Sequence, residues 1–187
     1  MKEYILGLDI STSVIGLAVM DKKANLVHYQ NIRYKSDIEL EKKAFDFKEV
    51  IREICTSYPI HHVYVEQPAM MFGGGKTTAA TMSKLQRFNG MCCYAVFDEI
   101  LIAPELVHVN SARKKMNISV PRIVKNKKAY IIQEVEKKYP NFVYETTNQG
   151  NPKPGTDDIA DAIVVAHYGV CIIQEGENDN GKGKSSK

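Results

Sequence analysis

Near the amino terminus, residues 5–19 read I-L-G-L-D-I-S-T-S-V-I-G-L-A-V, an apolar stretch with a single carboxylate, Asp9. An unpaired charge that leaves water costs roughly several kcal/mol, so a buried Asp9 needs a cation, a hydrogen-bond donor or an open site beside it. The apolar residues on either side of the Ser11-Thr12-Ser13 turn predict two consecutive strands. Asp9 lies at the end of the first.

The composition fits one domain. The 187 residues are 44% hydrophobic, which is enough for a core, and the formal net charge is +3. No pair of the four cysteines has the spacing of zinc ligands, so we expect reduced thiols. The chain shows no signal-peptide pattern and no clean membrane-spanning run. We therefore expect a cytoplasmic protein with no membrane partner.

The order of predicted elements favours an α/β fold with a mixed five-stranded sheet and helices on both faces. Strands are predicted at residues 4–10, 14–20, 26–34, 62–66 and 106–109, and the first three form an antiparallel meander because short loops join them. Helices are predicted after a capping box that begins at Ser36, and at residues 78–100, 126–139 and 157–173. Residues 174–187 are polar, so we expect a domain of residues 1–173 and a disordered tail.

Further acids follow the pattern of Asp9. Glu66 ends the predicted fourth strand, and Asp157, Asp158 and Asp161 open the last helix. Asp161 shares a helix face with either Asp157 or Asp158, so spacing alone leaves that choice open. Acids in a first turn also stabilise a helix through its dipole, by about 0.3–1 kcal/mol each. The dipole accounts for Asp157 and Asp158 without any function, but not for Asp9 or Glu66.

Carboxylates that cluster without basic partners repel one another unless a hard divalent cation lies between them. Mg²⁺ prefers carboxylate and water oxygens as ligands. Two such ions, about 3.5–4 Å apart, can activate a water and stabilise the leaving oxygen of a phosphodiester. The acids therefore predict a phosphodiester hydrolase with two Mg²⁺ ions in its active site, which Mn²⁺ can replace.

A basic segment follows the predicted fifth strand. It contains Arg113, Lys114, Lys115, Arg122, Lys125, Lys127 and Lys128. This density of positive charge is sufficient to bind a polyanion, and it is equally typical of a solvated surface.

Three motifs resemble the RuvC family of Holliday-junction resolvases, within the RNase H-like nucleases. They are G-L-D-I-S-T-S-V-I-G-L-A-V at residues 7–19, Y-V-E-Q-P at residues 64–68 and D-D-I-A-D-A-I-V-V-A-H-Y-G at residues 157–169. The resemblance covers residues 4–173, and the E-Q-P turn is most similar to phage-encoded members. It implies an RNase H-like fold and a homodimeric Mg²⁺-dependent endodeoxyribonuclease. Such an enzyme resolves four-way DNA junctions in recombination and repair, with no small-molecule cofactor.

The resemblance also assigns site residues. The family's four metal-binding acids fall on Asp9, Glu66, Asp158 and Asp161, which selects Asp158 over Asp157. The family's junction-wedging aromatic residue falls on Phe72 by position. The other DNA-binding candidates are Lys76, Lys84, Arg113, Lys114, Lys115, Lys125, Lys127 and Lys128, of which those in the basic segment match the family only loosely. We expect the long apolar helix from residue 78 to form the dimer interface.

Other interpretations compete with a junction resolvase. Another RNase H-like nuclease, acting on flaps or RNA–DNA hybrids, would have the same acids. Residues 7–13 resemble the first phosphate loop of sugar-kinase and actin-like ATPases, but no second phosphate loop follows. The Gly75-Lys76-Thr77 sequence suggests a P-loop, yet Met70 occupies the position of its first glycine. A non-catalytic DNA-binding module would not need all four acids.

Overall fold

The computed structural model describes residues 2–68 and 78–182. Its strands are β1 (Tyr4–Ile10), β2 (Val14–Asp21), β3 (Leu26–Arg33), β4 (Ile60–Glu66) and β5 (Glu105–Val107). They form one five-stranded sheet in the order β3-β2-β1-β4-β5. The first three strands pair antiparallel, whereas β4 pairs parallel with both β1 and β5. The predicted meander and mixed sheet are confirmed.

Within the described ranges, helices cover both faces of the sheet. They are α1 (Leu40–Ser57), α2 (Ala79–Ile100), α3 (Val109–Lys115), α4 (Lys127–Lys138) and α5 (Thr156–Lys182). One core lies under α1 and α2 and includes Leu6 and Leu8, and the other lies under α3, α4 and α5 and includes Ile5. Because successive strand residues point to opposite faces, Gly7 and Asp9 lie on the same face as Ile5, towards α5.

Two strand glycines allow α5 to approach the sheet closely. A Cβ atom at Gly7 would lie less than 3.0 Å from the backbone of Ala162 and Ala166. A Cβ atom at Gly16 would lie equally close, under 3.0 Å, to the backbone of Asp158. Gly16 is also the register partner of Asp9. Because these two positions are glycines, the acidic first turns of α5 lie beside Asp9.

Two local predictions differ from the structure. The capping box is wrong, because the N-cap of α1 is Glu39 rather than Ser36 and its side chain makes no capping hydrogen bond. The fifth strand ends at Val107, before its predicted end at residue 109, and α3 follows it. Ala112 is the only buried residue of α3, so the sequence carries no apolar periodicity that would indicate this helix.

The last helix continues past its predicted end at residue 173 to Lys182. The prediction of a disordered tail is therefore wrong for residues 174–182, while residues 183–187 lie outside the described range. Gln174 donates a hydrogen bond to the carbonyl oxygen of Lys22 at 2.8 Å, and Lys22 pairs with Glu177 at 2.8 Å. Contacts with the turn that follows β2 thus hold a segment whose composition alone predicts disorder.

Helix α5 is also the described helix whose length and composition could span a membrane, over Thr156–Asp179. Its apolar residues Ile163, Val164 and Val165 are at most 1% exposed, since they pack within the core on the α5 face of the sheet. Its apolar character is accounted for by this central position.

Replacing Gly16 with Ala should destabilise the protein by about 1–3 kcal/mol, because the new methyl group overlaps the backbone of α5. Replacing Gly90 with Ala is the matched control. A Cβ atom there meets nothing within 4 Å, so this change within α2 should stabilise the protein by about 0.5–1 kcal/mol. Urea unfolding measures both. A stable Gly16→Ala variant would contradict the close packing of α5 on β2.

Candidate active site

Three carboxylates from three elements meet at one edge of the sheet. Asp9, Glu66 and Asp161 each place a carboxylate oxygen within 4.8 Å of the other two. The register of the parallel pair aligns Leu8 with Val65, which sets Asp9 beside Glu66. Helix α5 supplies Asp161. The structure thus brings together three of the four predicted metal ligands.

Burial raises the pKa of every acid in this cluster, and the charge of another cluster member adds to the shift at Asp9 and Glu66. Burial, followed by the charges of Glu66 and Asp161, raises the pKa of Asp9 well above its usual value. Burial and the charge of Asp161 raise the pKa of Glu66 to about 7, although Arg113 acts against them. Burial also raises the pKa of Asp161, again opposed by Arg113. The cluster therefore binds protons more tightly than isolated carboxylates do.

The donor set fits a hard divalent cation. It consists of carboxylate oxygens, the ligands that Mg²⁺ and Mn²⁺ prefer. The Oε2 atom of Glu66 is buried and has no hydrogen-bond partner among the described residues. A cation held by Asp9, Glu66 and Asp161 would satisfy this atom and offset the repulsion among the three acids.

The structure separates Asp157 from Asp158, which the sequence spacing leaves equivalent. Lys128 on α4 forms an ion pair with Asp157. Although burial acts to raise the pKa of Asp157, this hydrogen bond and charge lower it overall. Burial and the charge of Asp157 raise the pKa of Asp158, whose own charge raises the pKa of Asp9. Asp158 thus adds to the field of the cluster, while its carboxylate lies outside the group of three.

A positively charged side chain from the short helix α3 contacts the acidic cluster. Arg113 donates a hydrogen bond from Nη2 to Oδ1 of Asp161 at 3.1 Å. Its Nε atom is buried with no partner among the described residues. In the sequence Arg113 is one of a series of basic residues. Only the packing of α3 on α5 distinguishes it from its neighbours.

A buried lysine supports the turn that follows Asp9, and sequence reasoning misses it. Lys43 on α1 is 1% exposed, and its Nζ donates a hydrogen bond to the carbonyl oxygen of Thr12 at 2.8 Å. The same atom lies 5.7 Å from the centroid of the Tyr34 ring, within range of a cation–π interaction. In the sequence Lys43 stands in a charged run and gives no sign of burial.

The predicted DNA-binding residues differ in their partners. Lys115 pairs with Glu175, and Lys128 pairs with Asp157. At 1.5 Å per helical residue, Glu175 lies about 21 Å along α5 from Asp161. Lys115 is therefore both neutralised and remote from the acidic cluster, unlike Arg113.

Four further candidate lysines have no ion-pair partner in the described part of the chain, namely Lys84, Lys114, Lys125 and Lys127. Lys114 and Lys127 line a cleft of about 620 Å³ together with Arg113. Lys84 on α2 and Lys125 before α4 are exposed. Phe72 and Lys76 lie outside the described residues.

Comparison with known proteins identifies the fold. No protein-family model and no curated protein matches the sequence. The structure is similar to Thermus thermophilus RuvC in complex with a Holliday junction substrate, with a TM-score of 0.63 and 14% identity over 93% of this chain and 96% of that chain. It is also similar to the yeast mitochondrial Holliday junction resolvase Ydc2, with a TM-score of 0.56 and 14% identity over 89% and 77% of the two chains. The chain therefore has the RNase H-like α/β fold that its motifs predict.

Replacing Glu66 with Gln should stabilise the metal-free protein by about 1–3 kcal/mol near pH 7.5, because it removes a buried, unpartnered charge. The folded-state pKa of Glu66, about 7, lies above its ordinary value of 4.5. Wild type therefore loses stability relative to the variant as the pH rises from 4.5 to 7, and the difference should vanish below that window. Urea unfolding in EDTA across this range measures it.

Burial lowers the pKa of His167 to about 4, so in both wild type and Glu66→Gln this residue makes stability rise with pH. The effect of Glu66 is therefore read from the difference in stability between the two proteins. Glu53→Gln, on the exposed face of α1, is the matched control and should behave as wild type. An unchanged difference between pH 5 and pH 7.5 would contradict the proposed repulsion.

Proposed function

We propose that this protein is a metal-dependent endonuclease that cuts branched DNA, with four-way junctions as its main substrate. The observation that carries the proposal is the half-buried group of Asp9, Glu66 and Asp161 at the edge of an RNase H-like sheet. RuvC, which has a similar fold, was solved with a Holliday junction substrate, and Ydc2 is a Holliday junction resolvase. These two structural similarities, together with the acids, support junction cleavage by this chain.

The chain's own residues divide the work of such a reaction. Asp9, Glu66 and Asp161 would hold the metal, and we propose Asp158 as a fourth ligand. When bound, Mg²⁺ or Mn²⁺ supplies Lewis-acid stabilisation of a phosphodiester and activation of a water. Because the acids bind protons tightly without metal, cation binding should release protons and strengthen with pH. Arg113, which donates a hydrogen bond to Asp161, would orient this carboxylate and supply a positive charge near the bound phosphodiester.

Unpaired lysines supply the contacts to the DNA backbone. Lys114, Lys127 and Lys84 are exposed and have no ion-pair partner among the described residues. Each phosphate that a lysine neutralises releases condensed counterions, so junction binding should weaken as salt rises.

Asp9→Asn should keep junction binding and lose cleavage by about 100-fold or more, since the metal contributes several kcal/mol to the transition state. Labelled four-way junction, flap, plain duplex and RNA–DNA hybrid are compared with Mg²⁺, Mn²⁺ and EDTA, with Asp179→Asn as the exposed control. Paired, metal-dependent cuts at the junction are expected. Cleavage of flaps or hybrid without junction preference would assign a different substrate, and a fully active Asp9→Asn variant would refute the metal site.

We further propose that the protein acts as a homodimer through the outer face of α1 and α2. On this face Phe45 is 64%, Tyr94 67% and Phe97 44% exposed. Phe45 and Tyr94 line one apolar cleft of about 240 Å³ with Met91 and Ala95. Exposed aromatic patches of this kind mark protein interaction sites. A second copy fits because a four-way junction offers two equivalent strands, which a twofold dimer can cut together.

Tyr94→Glu places a charge in this patch and should shift the protein from dimer to monomer in sedimentation equilibrium. Paired cutting of one junction should then give way to single nicks, while circular dichroism stays unchanged. Val143→Glu, at a position that is 72% exposed elsewhere on the surface, controls for added charge. A wild-type monomer on the junction, or a Tyr94→Glu dimer, would rule out this interface.

A further inference from the structure

A cleft of about 620 Å³ opens between α3 and the start of α4. Arg113 belongs both to this cleft and to the acidic cluster, because its side chain lines the one and donates to Asp161 in the other. Sites for small organic ligands span about 300–1,000 Å³. The cleft is therefore large enough for a whole nucleotide. Its volume is greater than the binding of a single phosphate group requires.

The cleft wall combines polar groups with an apolar surface. Asn110, Asn117 and Ser119 line it, and their side chains make no hydrogen bond to any other residue that the structure describes. Ile118 and Val120 form the apolar part of the wall. Carboxamides present donors and acceptors side by side, which is the arrangement that reads base edges. These groups match the polar edge and the apolar face of a nucleobase. A cleft that bound phosphate alone would need only its lysines.

Two lysines at the cleft supply the complementary contacts. Lys114 and Lys127 line it without an ion-pair partner in the described residues, whereas neighbouring Lys115 and Lys128 are each bound to an acid. Free cations at the rim suit the phosphates on either side of a base, and phosphate contacts fix position without reading sequence. The cleft thus has separate groups for the base and for the backbone.

We infer that the cleft takes up one nucleotide that is extruded from branched DNA, next to the phosphodiester at the acidic cluster, and that Asn110 and Asn117 read its base. This inference rests on the proposed function and specifies how its substrate is recognised. Extruding a base costs least where it is already unpaired or unstacked, as at a branch point. Cleavage should therefore depend on which base occupies one position beside the cut.

The test is single-turnover cleavage of four-way junctions that carry each of the four bases, in turn, at the nucleotides flanking the cut. Wild type should show about a 10-fold or larger spread of rates at one position, the discrimination typical of a carboxamide–base contact. In the double variant Asn110→Ala, Asn117→Gly the spread should fall to about 3-fold or less. Glycine is chosen at Asn117 because its φ is 60°, a left-handed conformation that alanine adopts only with strain.

Two controls separate base reading from backbone binding. Lys114→Ala should weaken binding of all junctions alike and reduce the salt slope by about one, without changing the spread. Asn148→Ala, an exposed asparagine outside the cleft, should leave both quantities as in wild type. An undiminished spread in the double variant, or a wild type without any spread, overturns the inference.

A binding measurement distinguishes failure of this inference from failure of the proposed function. Junctions with 2-aminopurine beside the cut site are bound by Asp9→Asn protein in Ca²⁺, and fluorescence reports unstacking. If the signal rises, and rises less when Asn110→Ala and Asn117→Gly are added, the cleft takes up a base even when wild type cuts nothing. If wild type cuts junctions without base preference and 2-aminopurine stays stacked, the endonuclease stands and the cleft assignment fails.

Discussion

The contact between α5 and the glycines of β1 and β2 is the constraint on which the site depends. Gly7 and Gly16 leave no room for a Cβ atom against the backbone of α5. Gly16 faces Asp158 and pairs in register with Asp9. The close packing of α5 on the sheet completes the core. It therefore also fixes the distance between the acids of α5 and those of the strands. A side chain at either glycine would push α5 away from the sheet. It would therefore disturb both the packing of the core and the placement of the acids.

The acids gathered by this packing oppose folding. Asp9, Glu66 and Asp161 are held close together and largely out of water, which raises the pKa of each. Arg113 and Lys128 offset part of the repulsion, the first at Asp161 and the second at Asp157. The remainder is left for protons or metal ions to neutralise. A site strained in this way is typical of proteins that trade stability for function.

The positive residues likewise divide into those that form ion pairs or are buried and those that line an open cleft. Lys115 fastens the end of α5 through Glu175, and Lys43 is buried beneath the turn after Asp9. Lys114 and Lys127 have no ion-pair partner among the residues that the structure describes, and they line a cleft beside the acids. Lysines that are adjacent in sequence thus either pair with an acid of the fold or line an open cleft, according to whether a helix places an acid within reach.

The sequence by itself determined the order of the strands along the chain, the meander, the mixed sheet and the acids Asp9 and Glu66 near strand ends, because apolar periodicity and turn residues are local properties. The resemblance in three short motifs identified the RNase H-like fold at 14% identity to RuvC. Helix α3, the helical residues 174–182 and the partners of Arg113, Lys43 and Asp157 came only from the tertiary structure. Each depends on a contact between residues far apart in the chain, such as Lys22 with Glu177 or Arg113 with Asp161. Local sequence patterns carry no record of such contacts.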